Sequence, residues 1–185
     1  MITGNEKIRS TTILGVRIGK IIALGGDGQV TFGDMKMKSK AKKVREFSEG
    51  KVLAGFAGAA ADAMALFEKF ESKLEETEGD LQKAVVEMAK EWRTDKVLRE
   101  LDALLAIIDN KHSYLLSGSG DVIEPDGNII TIGSGSGYAL AAARAFIKSG
   151  EKNPSKIVRD SLKITSDICI YTNDHITILE SKWKI

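Results

Sequence analysis

The chain has 185 residues, enough for one domain with a sizeable core, and is 43% apolar and 29% charged, as in ordinary globular proteins. A net charge of +1 offers no general attraction to nucleic acid or anionic membrane, and no apolar run approaches the roughly 20 residues of a membrane span. One cysteine excludes an internal disulfide and points to a reducing, cytoplasmic setting.

Met1 to Ser10 is polar, lacks the apolar core of a signal peptide, and reads as a flexible leader. From Thr11 the pattern turns extended. Thr12, Leu14, Val16 and Ile18 alternate with Ile13, Gly15 and Arg17, and Gly19-Lys20 turns the chain into Ile21–Leu24 as a hairpin. Gly25-Gly26-Asp27-Gly28 is expected to interrupt the second strand, the backbone there bending sharply or passing close to another part of the chain. A basic stretch follows, with Lys36, Lys38, Lys40, Lys42, Lys43 and Arg45. Lys51–Gly58 reads as a buried strand ending in a glycine turn. An amphipathic helix is expected over Ala63, Phe67, Phe70 and Leu74, and a second from Asp80 with Leu81, Val85, Met88 and Trp92 on one face.

Two strands are predicted at Asp102–Asp109 and His112–Ser117, and another at Ile129–Ile132 after the Pro125–Asn128 turn. Gly133-Ser134-Gly135-Ser136-Gly137 leads into an alanine-rich helix, Tyr138–Lys148. Asn153 and Pro154 look like the cap and first-turn proline of a last helix reaching about Thr165. Tyr171–Leu179 is predicted as a final strand. Strand, glycine turn and alanine-rich helix thus occur twice, which suggests two sheets covered by helices.

Several familiar devices are missing from the sequence. There is no G-x-x-x-x-G-K-S/T pattern for hydrolysing ATP, and Tyr138 stands where a dinucleotide fingerprint would need glycine. His112 and His175 sit in polar turns without evident partners, Cys169 lies in an apolar run, and no cluster has zinc spacing. A threonine at a chain terminus is a different kind of nucleophile, since its own α-amine can act as the base. That amine titrates near ~7.7–8.0, and a nearby ammonium lowers it further.

Eight blocks occur in order: Thr11-Thr12-Ile13, Gly26-Asp27-Gly28-Gln29, Lys42-Lys43-Val44-Arg45, Gly55-Phe56-Ala57-Gly58, Ala61-Asp62-Ala63, Trp92-Arg93-Thr94-Asp95, Ile132-Gly133-Ser134-Gly135 and Asp167–Asn173. Together they make the chain resemble the HslV (ClpQ) family, bacterial threonine peptidases related to proteasome β subunits, from Thr11 to about Glu180. The resemblance implies an α+β fold, the four-layer αββα N-terminal-nucleophile hydrolase sandwich, with residues 1–10 a leader and 11–185 one peptidase domain. It implies hydrolysis of peptide bonds in unfolded substrates, after self-cleavage before Thr11.

By that resemblance Thr11 is the nucleophile, Lys43 lowers the pKa of its amine, Asp27 holds Lys43, Ser134 orients the amine or a water, and the Gly55 N–H donates to the oxyanion. Gly55 and Ser134 are both expected to follow strand ends. The resemblance also implies a sodium ion held by the backbone carbonyls of Ser166, Cys169 and Thr172, and an assembly of two stacked six-membered rings. The partner it implies is the ATPase HslU (ClpY), which fits the missing P-loop; no nucleic-acid or membrane partner is expected. Gly135-Ser136-Gly137-Tyr138 departs from the family's more usual Gly-Gly-Pro-Tyr. Two other readings stand beside this one, a non-catalytic ring subunit of the same fold and an amidase acting on a small molecule.

Overall fold

The computed structural model describes residues 8–58, 60–96 and 103–183, so Met1–Lys7 of the expected leader and Asp102 of an expected strand lie outside it. Among the described residues, in chain order, are β1 (Ile8–Ser10), β2 (Ile13–Ile18), β3 (Ile21–Gly26), β4 (Val30–Phe32), β5 (Met35–Lys38), β6 (Val44–Phe47) and β7 (Val52–Gly58). Then come α1 (Ala60–Glu76), α2 (Leu81–Thr94), β8 (Ala103–Ile108), β9 (Ser113–Ser117), β10 (Val122–Ile123), β11 (Ile129–Ile132), α3 (Ser136–Lys148), α4 (Pro154–Ile168) and β12 (Thr177–Lys182).

The strands form two main antiparallel sheets, β10-β9-β8-β7-β6 and β11-β2-β3-β12, with a small third sheet β1-β4-β5. Side chains alternate across each strand and so sort into three cores. Ile13, Ile22, Leu24, Leu53, Ala106 and Ile132 fill the space between the sheets. Phe56, Leu105 and Ile107 face the other way, against Phe67, Phe70, Met88 and Trp92 of α1 and α2. Leu14, Val16 and Ala23 pack instead on Ala139, Ala143, Ile157 and Leu162 of α3 and α4. This is the expected order of layers, helix, sheet, sheet, helix.

Local signals explain the helix starts. The Asp80 carboxylate accepts the Lys83 N–H at 3.1 Å, and Asn153 accepts the Lys156 N–H at 3.0 Å with Pro154 in the first turn.

Five local expectations need correction. The end of the leader is not free: Ile8–Ser10 pairs antiparallel with β4, Ser10 opposite Val30. Gly25 and Gly26 do not interrupt β3 but lie within it, paired on both sides. What their lack of a side chain serves is the expected close approach, since Val158 and Ile13 stand 2.5 and 2.6 Å from where their Cβ atoms would be. The basic stretch overlaps two strands, β5 and the start of β6; all four residues of β5 are exposed, so pairing with β4 and not burial sets its place. The last helix runs three residues past Thr165, to Ile168. The last strand begins at Thr177, not Tyr171, because residues 170–173 make a loop with work of its own.

Candidate active site

Thr11 sits between β1 and β2 and is 3% exposed. Asp27 comes directly after β3, the hairpin partner of β2, and Lys43 directly before β6 of the other sheet. The site therefore straddles the two sheets at one rim of the sandwich. The Lys43 ammonium donates to the Thr11 carbonyl at 2.6 Å and to Asp27 Oδ1 at 2.6 Å, and both charged side chains are wholly buried. Asp27 Oδ2 accepts the N–H groups of Gln29 at 2.9 Å and Asn173 at 3.1 Å. Burial pushes the Lys43 pKa below and the Asp27 pKa above their ordinary values, and each partner's charge opposes the push on the other.

The nucleophile candidate is itself gripped. Thr11 Oγ1 donates to the Tyr171 carbonyl at 3.2 Å and lies 3.0 Å from Thr12 Oγ1, which is 2.8 Å from Thr172 Oγ1 and accepts the Gly135 N–H at 3.1 Å. Thr12 has a φ of +51°, a left-handed conformation that strains a β-branched residue by roughly 1–3 kcal/mol. Gly133 makes room for it, since a Cβ there would lie 2.7 Å from the Thr12 nitrogen.

Of the five catalytic candidates, the structure brings Thr11, Asp27 and Lys43 together. Ser134 follows the end of β11 as expected, is exposed, and makes no hydrogen bond among the described residues. Gly55 does not follow a strand end. It lies in the middle of β7, opposite Val44 on one side and Ala106 on the other. Phe56 N–H donates to the Lys43 carbonyl at 3.1 Å, so by the alternation of an antiparallel ladder the Gly55 N–H faces β8.

The carbonyls proposed for a cation lie at and after the end of α4. The Thr165 carbonyl is taken by the Cys169 N–H at 2.8 Å and the Cys169 carbonyl accepts the Thr172 N–H at 3.0 Å. The Ser166 carbonyl lies in the final turn, where helix carbonyls lose their intrahelical partners. Oxygens of this kind fit a hard cation. Cys169 is buried, as expected. His112 pairs with Glu124 at 3.0 Å and His175 contacts Asp174 at 3.4 Å, both on the surface and neither beside Thr11.

The proteasome subunit family matches residues 8–180. The ATP-dependent protease subunit HslV of Caldicellulosiruptor saccharolyticus is 56% identical over 172 residues, covering 92% of this chain and 98% of that protein. The chain belongs to the proteasome subunit family, among the HslV peptidases. It is thus a threonine-type protease subunit with the N-terminal-nucleophile hydrolase fold. The crystal structure of eukaryotic HslV from Trypanosoma brucei superposes with a TM-score of 0.88 at 42% identity, over 94% of this chain and 100% of that one. A more distant structure, Thiobacillus denitrificans BPH in complex with epoxomicin, shares the fold at 17% identity, with a TM-score of 0.75 over 95% of this chain and 100% of that one. No helix among the described residues of this HslV-family chain is long and apolar enough to cross a membrane.

Proposed function

We propose that this HslV-family subunit removes its own leader before Thr11 and then cuts peptide bonds with the freed threonine. The observation that carries this is the wholly buried Lys43 ammonium, held by Asp27 and bonded to the carbonyl of Thr11 itself. In the first step Thr11 Oγ1 attacks the Ser10 carbonyl carbon, its proton passes to the Thr11 nitrogen as the peptide C–N bond breaks, and the leader is left as an ester on Thr11 beside the freed α-amine. Water hydrolyses that ester, releasing the leader as its acid and restoring the Thr11 hydroxyl. In each later cycle the amine takes the Oγ1 proton, directly or through water, as Oγ1 attacks a substrate carbonyl. The proton passes to the leaving amine of the substrate, and water again releases the acyl group.

Lys43 lowers the basicity of the terminal amine by like-charge repulsion, so that more of it is neutral near pH 7. Asp27 keeps the ammonium in place, and Ser134, at the open end of β11, orients the amine or a water. The Gly55 N–H is assigned to the oxyanion, a role that needs it released from the ladder of β7.

We also assign the carbonyls of Ser166, Cys169 and Thr172 to a sodium ion, which would supply charge to fix the end of α4 and no chemistry in the reaction. The relative's name speaks of ATP dependence, while this sequence has no P-loop. A separate ATPase of the HslU type, docking on stacked six-membered rings of this subunit in the cytoplasm, reconciles the two. Intact-mass measurement with N-terminal sequencing tests the core of the reading. The expected result is loss of the first ten residues, with Thr11→Val keeping the leader and losing peptide cleavage. Cleavage by Thr11→Val at the unmutated rate overturns the assignment.

A further inference from the structure

The loop after α4 touches the site with four consecutive residues. The Ile170 carbonyl accepts from Gln29 Nε2 at 2.8 Å, the Tyr171 carbonyl from Thr11 Oγ1, the Thr172 hydroxyl meets Thr12, and the Asn173 N–H binds Asp27. Within this loop we propose that the Thr172 side chain is a positioning residue for the nucleophile, acting through the hydroxyl of Thr12. The proposal rests on Thr11 being the nucleophile, and concerns a side chain where the cation assignment used only the carbonyl.

Counting hydrogens gives the circuit its direction. Each hydroxyl has one hydrogen to donate. Thr11 spends its hydrogen on the Tyr171 carbonyl. Thr12 therefore donates to Thr11, and accepts from the Gly135 N–H and from Thr172. The chain runs from Thr172 to Thr12 to Thr11 and returns to the Tyr171 carbonyl, starting and ending in the same loop. Thr12 and Thr172 are 0% and 4% exposed, so no bulk water stands ready to replace a lost partner. Space around the circuit is also closed, because a Cβ on Gly135 would collide with Thr12 Oγ1 and lie 2.9 Å from Thr172 Oγ1. A left-handed Thr12 and a glycine at 135 are the local costs of holding one hydroxyl beside Oγ1. Removing the Thr172 hydroxyl leaves Thr12 free to turn from Thr11, and the nucleophile loses its preferred rotamer.

The test compares Thr172→Val with Thr172→Ser in the full chain, reading kcat and KM on a short fluorogenic peptide, leader loss by intact mass, and the thermal midpoint. Loss of one such hydrogen bond should lower kcat about tenfold in Thr172→Val with KM unchanged, and slow leader loss alike. Thr172→Ser, which keeps the hydroxyl, should restore both. Thr12→Val should match Thr172→Val, and the double variant should be no worse than either, because the two act as one unit. If Thr172→Val does not fold, Thr12→Val against Thr12→Ser reads the same circuit. An unchanged kcat in the folded valine variants, equal defects in serine and valine, or defects that multiply in the double variant would overturn the proposal. Failure of the nucleophile assignment shows separately, as an active Thr11→Val.

Discussion

At Lys43 chemistry and stability share one side chain. Its ammonium is held between the Thr11 carbonyl and the Asp27 carboxylate with no solvent exposure. Lys43→Met leaves Asp27 buried with two backbone N–H partners and no counter-charge, and breaking a buried pair in this way costs about 3–5 kcal/mol. The single variant should be less stable by that order and inactive toward peptides. Lys43→Met combined with Asp27→Asn removes both charges and should regain most of the lost stability in a denaturant titration while staying inactive. Recovered cleavage in the double variant would remove Lys43 from the reaction. None of this geometry can be read from residue pattern alone. Lys43 stands in a basic run 32 positions from Thr11, and Asp27 in a glycine turn, so only the resemblance linked them before the fold did. The hydroxyl of Thr12 was less legible still, since nothing in a Thr-Thr pair announces a left-handed residue.

Elements with strong local signals were the readable ones. Asp80 before α2 and Asn153-Pro154 before α4 name their helix starts by capping chemistry. Asn153→Ala should therefore lower stability by about 1 kcal/mol with kcat unchanged, measured by denaturant unfolding beside a peptidase assay. β2, β7 and β8 were legible because buried residues dominate them. β5 was hidden among lysines, because pairing along a short exposed strand leaves little hydrophobic trace. Gly25 and Gly26 signalled a close approach correctly but not a break in the strand, because the neighbours that press on them, Val158 and Ile13, lie elsewhere in the sequence. The same limit hid the setting of Gly55, which lies inside β7 between β6 and β8 and not after a strand end.

On the scale of the whole molecule, the buried Lys43–Asp27 pair ties one sheet to the other. The proposed rings are a further level of order built on this sandwich. Native mass spectrometry of the processed protein should show twelve copies of the chain, each 20.1 kDa less its leader, and a single copy as the dominant species would rule the assembly out. The loop at 170–173 has another consequence, for what lengths of chain the fold tolerates. Deleting or adding one residue between Ile168 and Asn173 moves each grip by one place, about 3.3–3.6 Å of chain, which is more than a hydrogen bond can stretch. Four contacts then fall out of step at once. The turn at Gly127 is its opposite, with nothing within 4 Å of the position a Cβ would take. Natural and engineered insertions in this chain therefore belong at such outer turns, while the segment after α4 is fixed in length as strictly as a word is fixed in spelling.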